Sequence, residues 1–218
     1  MEKQIREMYS ALLEEHGEPP SPADMPPVDY IILTILSQNT MDENRDRAWE
    51  SLVDEFNGDY KSIEEAEPDR LADIIRVAGL PNQKSSRIQH ALSTIREHTG
   101  GEYSLDFIDE METDEAQQWL TNIKGIGPKT AAIVLLFCFE KPVLPVDTHC
   151  ERVAKRFQLI PESTSTDKAH ELLTEKVPDE LIYPFHRLLI THGREYCSAR
   201  NPDCDNPVCS QYCRCEYC

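Results

Sequence analysis

An amine, a carboxylate and a glycine turn are spaced in this chain so that they could act together on a phosphate-bearing substrate. Residues 125–127 (GIG) predict a tight turn, and Pro128 favours a helix start because its missing N–H would be unpaired there anyway. The unpaired N–H groups and the dipole of such a helix start favour a bound phosphate. Lys129 follows in the first turn of this helix, and Asp147 follows 18 residues later. These residues indicate chemistry on nucleic acid.

The elements that would position these groups are helices. The chain has only 8 glycines, its apolar residues recur at helical spacing, and no Asn-Gly or Asp-Gly pair lies between alternating strands. Helices are predicted at residues 113–122 and 130–138, on either side of the turn, and at residues 147–157. The sequence therefore predicts an all-α fold.

The segment GIGPKTAAIVL, followed by PVDTHCERV, resembles the helix-hairpin-helix DNA glycosylases. It is most similar to the endonuclease III family, which has a lysine at the Lys129 position, and the resemblance covers nearly the whole chain. It implies a six-helix barrel at residues 26–141 and a discontinuous iron–sulfur helical domain at residues 1–25 and 142–218. The implied partner is double-stranded DNA with a damaged base or abasic site, bound by a monomer.

The resemblance also implies a bifunctional DNA glycosylase/AP lyase that removes oxidised pyrimidines. Lys129 would attack the sugar C1′, and Asp147 would stabilise the positive charge that develops on the sugar. Gly125 and Gly127 would bring the backbone close to a DNA phosphate. The alternatives are that Lys129 only contacts phosphate and that Asp147 only caps a helix. His149 is assigned a structural role.

Two loops would handle the nucleotide that is rotated out of the stack. Residues 37–40 (SQNT) resemble the family loop whose amide side chain fills the gap in the stack, which assigns that role to Asn39, with Gln38 preceding it. Residues 78–84 (AGLPNQK) resemble a family segment that wedges an apolar side chain beside the orphaned base, here Leu80. Core packing is the alternative for Leu80. Lys84 and Arg87 are predicted to contact a DNA phosphate, and a solvated position is the alternative for both.

Six of the eight cysteines fall in the last 22 residues, which is typical of a metal site rather than of a secreted disulfide framework. The tail resembles the 4Fe–4S loop of the family, although an x4 spacing replaces the usual x2 after its second cysteine. The predicted ligands are Cys197, Cys204, Cys209 and Cys213. Cys215 is the rival for the fourth position, Cys218 is the weakest candidate, and zinc is the alternative metal. Cys138 and Cys150 are predicted as core thiols.

The net charge of −18 is unusual for a DNA-binding protein. Residues 1–73 hold 6 basic and 19 acidic residues, whereas residues 121–156 hold 6 basic and 3 acidic residues. The basic surplus therefore surrounds the predicted phosphate turn. The 9 lysines against 40 acidic residues resemble proteins of salt-accumulating archaea, so we hypothesise a halophilic archaeal origin.

The N-terminus is charged, no apolar run is long enough to cross a bilayer, and a cytoplasmic, nucleoid-associated protein is expected. Two other functions remain open at this point. One is a monofunctional glycosylase for T·G or adenine mismatches, which Lys129 disfavours. The other is a non-catalytic DNA-binding protein, which the joint presence of Lys129 and Asp147 disfavours.

Overall fold

The computed structural model describes residues 2–216, and it contains helices and no strand in that range. The α-helices are α1 (Glu2–His16), α2 (Pro27–Ser37), α3 (Asp42–Phe56), α4 (Tyr60–Glu65), α5 (Pro68–Ile74), α6 (Pro81–His98), α7 (Thr113–Asn122), α8 (Pro128–Phe139), α9 (Thr148–Arg156), α10 (Thr166–Lys176), α11 (Ile182–Glu195) and α12 (Pro207–Tyr212). None of these helices combines the length and the apolar character that a membrane span requires.

The chain divides into two compact units. The central unit is Asp24–Val134, and the split unit joins Met1–Ala23 to Leu135–Cys218. Helix α8 contains the second boundary, because it begins in the central unit and ends in the split unit. The sequence predicts domain boundaries after residues 25 and 141, whereas the two compact units divide after residues 23 and 134.

Helix α6 organises the central unit by packing against α2, α4 and α5. Its residues Ile88, Leu92 and Ile95 recur at helical spacing and are fully buried. Helix α2 contributes Ile31 and Ile35 to the same core. Since α2 and α6 contact each other, the loop that leaves α2 and the turn that enters α6 are anchored to one packed pair.

The split unit is built on α11, which packs against α1 and α9. The apolar face of α1 consists of Ile5, Met8 and Leu12, which lie in one hydrophobic core with residues of α9 and α11. Helices α9 and α11 approach closely at Gly193, where an added Cβ would lie 3.0 Å from Cβ of His149. This packing fixes α9, whose first residues follow Asp147.

Helix α12 lies inside the cysteine tail, where the sequence pattern did not indicate a helix. Pro207 occupies its first position, and the Asn206 side chain accepts hydrogen bonds from the backbone N–H groups of Val208 and Cys209. A proline and an asparagine cap are together a sufficient start signal for a short helix. The insertion between Cys204 and Cys209 therefore supplies a helix cap.

Candidate nucleic-acid interface

The predicted hairpin turn between α7 and α8 is present and depends on one glycine. Gly125 has φ +95°, a conformation that L side chains rarely adopt, and an added Cβ would lie 2.5 Å from Cγ of Arg87. Buried Ile123 and Ile126 hold the turn on the core. Gly127 differs, because an added Cβ there would have no neighbour within 4 Å. Gly125 is therefore required by the fold, whereas Gly127 leaves its exposed backbone open to a ligand.

Lys129 is exposed and stands in the first turn of α8. The N–H of Ala131 bonds to the carbonyl oxygen of Gly127 at 3.0 Å, which closes the first helical turn directly behind the glycine. The neighbouring Thr130 is buried, so one side of the first turn of α8 is packed inside the protein, whereas Lys129 is exposed to solvent. This placement gives an amine beside a helix start where N–H groups lack intrahelical partners.

Gln38 ties the loop after α2 to the hairpin. Its Nε2 donates to the carbonyl oxygen of Gly125 at 3.1 Å, and its Oε1 accepts from the Arg87 guanidinium at 2.5 Å. Arg87, which the sequence predicts as a phosphate contact or a solvated cation, instead packs against Gly125 and donates to Gln38. Gln38, predicted with Asn39 to bind DNA, therefore uses both ends of its amide within the protein and links this loop to the turn.

Asn39 and Leu80 are both exposed and both adopt left-handed backbone conformations, with φ 52° and 49°. Leu80 keeps 53% of its surface exposed, so the core-packing alternative for this side chain is wrong. Non-glycine residues in this region carry backbone strain and persist only where the surrounding structure fixes them. Two side chains predicted to enter the DNA stack are therefore held outward.

The structure does not place Lys84 at the surface, where a DNA contact requires it. The side chain is 1% exposed, and its Nζ lies within 2.7 Å of the carbonyl oxygens of Leu36 and Ala78 and of Thr40 Oγ1. Burial lowers the pKa of Lys84 to about 8, and the Arg87 charge acts in the same direction. The prediction failed because the acceptors that draw the ammonium inward come from other segments.

Asp147 belongs to the split unit and caps α9. Its Oδ1 accepts the backbone N–H of His149 at 2.9 Å and that of Cys150 at 2.7 Å. The side chain is half-buried, so the capping bonds fix a carboxylate that still reaches solvent. His149 lies 3.0 Å from the Arg152 guanidinium, which also bonds to the Gly193 carbonyl oxygen. These contacts agree with the structural role expected for His149.

The cysteine tail brings several thiols together around α12. Cys197 and Cys209 are fully buried, Cys213 is nearly so, and the sulfurs of Cys213 and Cys215 are 3.2 Å apart. Cys204 is disulfide-bonded, and Cys218 lies outside the described residues. Within residues 2–216 no three metal-binding side chains converge on one point.

A buried cation faces these thiols, and the sequence did not single it out. The Arg156 guanidinium lies 3.3 Å from Cys197 Sγ and donates to the carbonyl oxygens of Ser198 and Ala199. The pKa of Cys197 falls to about 6, because Cys209 donates a hydrogen bond to its sulfur and Arg156 stabilises the thiolate. Buried thiols beside a fixed positive charge match the donor chemistry of a thiolate-bound cluster.

The sequence and the fold match known DNA repair proteins. Residues 32–179 match the HhH-GPD superfamily of base excision DNA repair proteins. Endonuclease III of Sulfolobus acidocaldarius is 36% identical over 187 residues, which cover 84% of this chain and 80% of that protein. Endonuclease III of Thermotoga maritima is 31% identical over 98% of this chain and 92% of that protein.

A solved structure of endonuclease III, trapped as a covalent intermediate with DNA, gives a TM-score of 0.82. The match covers 98% of this chain and 96% of that one, at 24% sequence identity. It confirms the predicted all-α, helix-hairpin-helix DNA glycosylase fold.

Proposed function

Because the chain belongs to the HhH-GPD superfamily, and within it to the endonuclease III family, we propose that it excises oxidised pyrimidines from duplex DNA and then cuts the strand. The chain is a DNA glycosylase/AP lyase of base excision repair. We propose further that it acts as a monomer and that its substrate is a lesion such as thymine glycol. The residues proposed to carry out the reaction are described below. One observation carries it, namely the exposed amine of Lys129 in the first turn of α8, directly after the glycine turn.

Lys129 is the proposed nucleophile. Its amine forms a bond to C1′ as the bond from C1′ to the base breaks, and the base leaves with the electron pair of that bond. The attacking amine gives up one proton and the ring oxygen takes one up as the sugar ring opens, which leaves a protonated imine between Nζ and C1′ that acidifies the proton on C2′. Loss of this proton expels the 3′ phosphate by β-elimination, and water then releases the lysine.

Asp147 is the proposed carboxylate partner. The sugar gains positive charge as the base departs, and an ionised carboxylate stabilises that charge. Both capping N–H groups bond to Oδ1, so the start of α9 fixes the orientation of the carboxylate. Capping and catalysis are therefore compatible in one side chain.

Asn39, Leu80 and the hairpin backbone are proposed to hold the DNA. The exposed amide of Asn39 would fill the gap left by the rotated nucleotide, and Leu80 would wedge beside the unpaired base. Gly125 and Gly127 would bring the turn close to a phosphate, where the N–H groups at the start of α8 can donate. The acidic surface elsewhere would then face solvent.

The cysteine tail is proposed to hold a 4Fe–4S cluster through Cys197, Cys204, Cys209 and Cys213. Bound there, the cluster would supply a structural and DNA-positioning element, since breaking the glycosidic bond needs no redox step. Iron, zinc and sulfide measured per chain after reducing purification test this assignment. Serine variants at the four positions should lose iron, whereas Cys138→Ser should keep it. Zinc without sulfide would contradict the cluster, and iron loss in Cys215→Ser but not in Cys213→Ser would move the fourth ligand.

The substrate proposal is tested with duplexes that carry thymine glycol, a T·G mismatch or an adenine mispair. Strand cleavage of the thymine glycol duplex without alkali, with a β-elimination end, is the expected result. Base release that becomes visible only after hot alkali would indicate a monofunctional glycosylase. Activity on the mismatches alone would overturn the choice of oxidised pyrimidines.

A further inference from the structure

Lys84 is a buried ammonium whose three N–H donors meet three oxygens. Nζ lies 2.7 Å from the Leu36 carbonyl oxygen, 2.6 Å from Thr40 Oγ1 and 2.7 Å from the Ala78 carbonyl oxygen. Each acceptor is neutral, and the side chain is 1% exposed. Burying a charge against neutral oxygens is expensive compared with burying an apolar side chain of the same length. The role of the buried Lys84 therefore lies in the segments that carry its three acceptors.

The acceptors belong to two separate segments. Leu36 and Thr40 flank the loop that leaves α2, and Ala78 precedes the turn that enters α6. The Thr40 hydroxyl also bonds to the Ala78 carbonyl oxygen, so the two segments are joined directly as well as through Nζ. The Lys84 backbone N–H donates in turn to the Leu80 carbonyl oxygen at 3.0 Å. One residue thus binds both segments with its main chain and side chain.

The same two segments carry the exposed residues in left-handed conformations. Asn39 lies between the two acceptors of the first segment, and Leu80 follows Ala78 by two residues. Their backbones, at φ 52° and 49°, require support from the surrounding structure. Lys84 supplies hydrogen bonds to both segments.

We propose that Lys84 is a positioning residue, a buried bracket that fixes Asn39 and Leu80 relative to each other so that both enter the DNA stack in one step. The inference rests on the proposed function of these two side chains. It predicts that loss of the bracket slows extrusion of the nucleotide more than it weakens binding to the duplex. The reason is that phosphate contacts are made elsewhere, whereas insertion needs both side chains at a fixed separation.

The test compares single-turnover cleavage of two duplexes by Lys84→Met and by the milder Thr40→Val. One duplex pairs thymine glycol with adenine, and the other places the lesion in a bulge, where less unstacking is needed. Both variants should lose about ten- to a hundredfold in rate on the paired lesion, with a smaller loss on the bulge. Their affinities for undamaged duplex should stay within about threefold of wild type, a change below 1 kcal/mol. Lys61→Met, which removes an exposed lysine of the same unit, is the control and should match wild type.

Two results would overturn the inference while leaving the proposed function intact. One is wild-type rates in both variants on the paired lesion. The other is an equal loss on both duplexes, which indicates only a damaged fold. If Lys84→Met does not fold, Thr40→Val alone decides, because it keeps the lysine and removes one hydroxyl. Inactivity of the wild type on both duplexes would instead overturn the proposed function, and this inference with it.

Discussion

Replacing Gly125 by alanine perturbs the hairpin at the point where its geometry is most constrained. The new Cβ would lie 2.5 Å from Cγ and 2.6 Å from Cδ of Arg87, which is too close for any real contact. These atoms are in the stem of the side chain, so Arg87 must move rather than adjust its far end. The φ of +95° adds backbone strain of about 1–3 kcal/mol for a residue with a Cβ.

The movement of Arg87 has a further consequence. Its guanidinium holds Oε1 of Gln38 at 2.5 Å, and Gln38 bonds to the carbonyl oxygen of Gly125 itself. Disturbing a hydrogen bond to a charged group costs about 1–3 kcal/mol, and less where solvent reaches it, as it does here. We therefore expect Gly125→Ala to lower the free energy of unfolding by roughly 2–4 kcal/mol.

Gly127→Ala is the matched control two residues away. No atom lies within 4 Å of its added Cβ, so the free energy of unfolding should change by less than about 1 kcal/mol. Urea unfolding measures both variants, and affinity for duplex DNA provides a second readout. Gly127→Ala should keep its stability yet bind DNA more weakly, because the new methyl group stands where a phosphate would approach. Equal stability of the two variants would refute the reasoning.

Three further predictions concern the carboxylate, the buried lysine and salt. Asp147→Asn should keep the cap of α9 and the melting temperature of the protein, while the rate of base excision falls by about 100-fold or more. Asp147→Ala should in addition lose about 1 kcal/mol of unfolding free energy. Equal activity of Asp147→Asn and wild type would contradict a catalytic role. Because the pKa of Lys84 in the fold, about 8, lies below its ordinary 10.5, the unfolded chain binds more protons between these values. The unfolding free energy of wild type relative to Lys84→Met should therefore rise from pH 8 to pH 10, by at most about 3 kcal/mol, and a fall over that range would contradict the shift. A halophilic origin predicts maximal activity above about 0.2 M salt, and a salt titration with its optimum below that value would argue against it.

The hairpin could be predicted from the sequence because its signals are local. A glycine that needs a positive φ and a proline at the first helical position act within a few residues, and both stand where the sequence placed them. Asp147 is similar, since a helix cap involves only the next three residues. The family resemblance added the assignment of chemistry to these positions.

Lys84 and Arg156 could not be placed from the sequence because their partners are distant along the chain. Three oxygens from residues 36, 40 and 78 draw the Lys84 ammonium inward, which no periodicity reveals. Arg156 reaches Cys197 and its neighbours 41 to 43 residues away. In both cases packing of helices from separate parts of the sequence decides where a charge lies.

The central claim, that Lys129 attacks the sugar, is tested most directly by borohydride trapping on a thymine glycol duplex in high-salt buffer. Wild type, Lys129→Ala and Lys124→Ala are compared, since Lys124 is an exposed lysine of the same hairpin. We predict a covalent protein–DNA adduct with wild type and with Lys124→Ala, and none with Lys129→Ala. An adduct with Lys129→Ala, or none with wild type, would contradict the assignment.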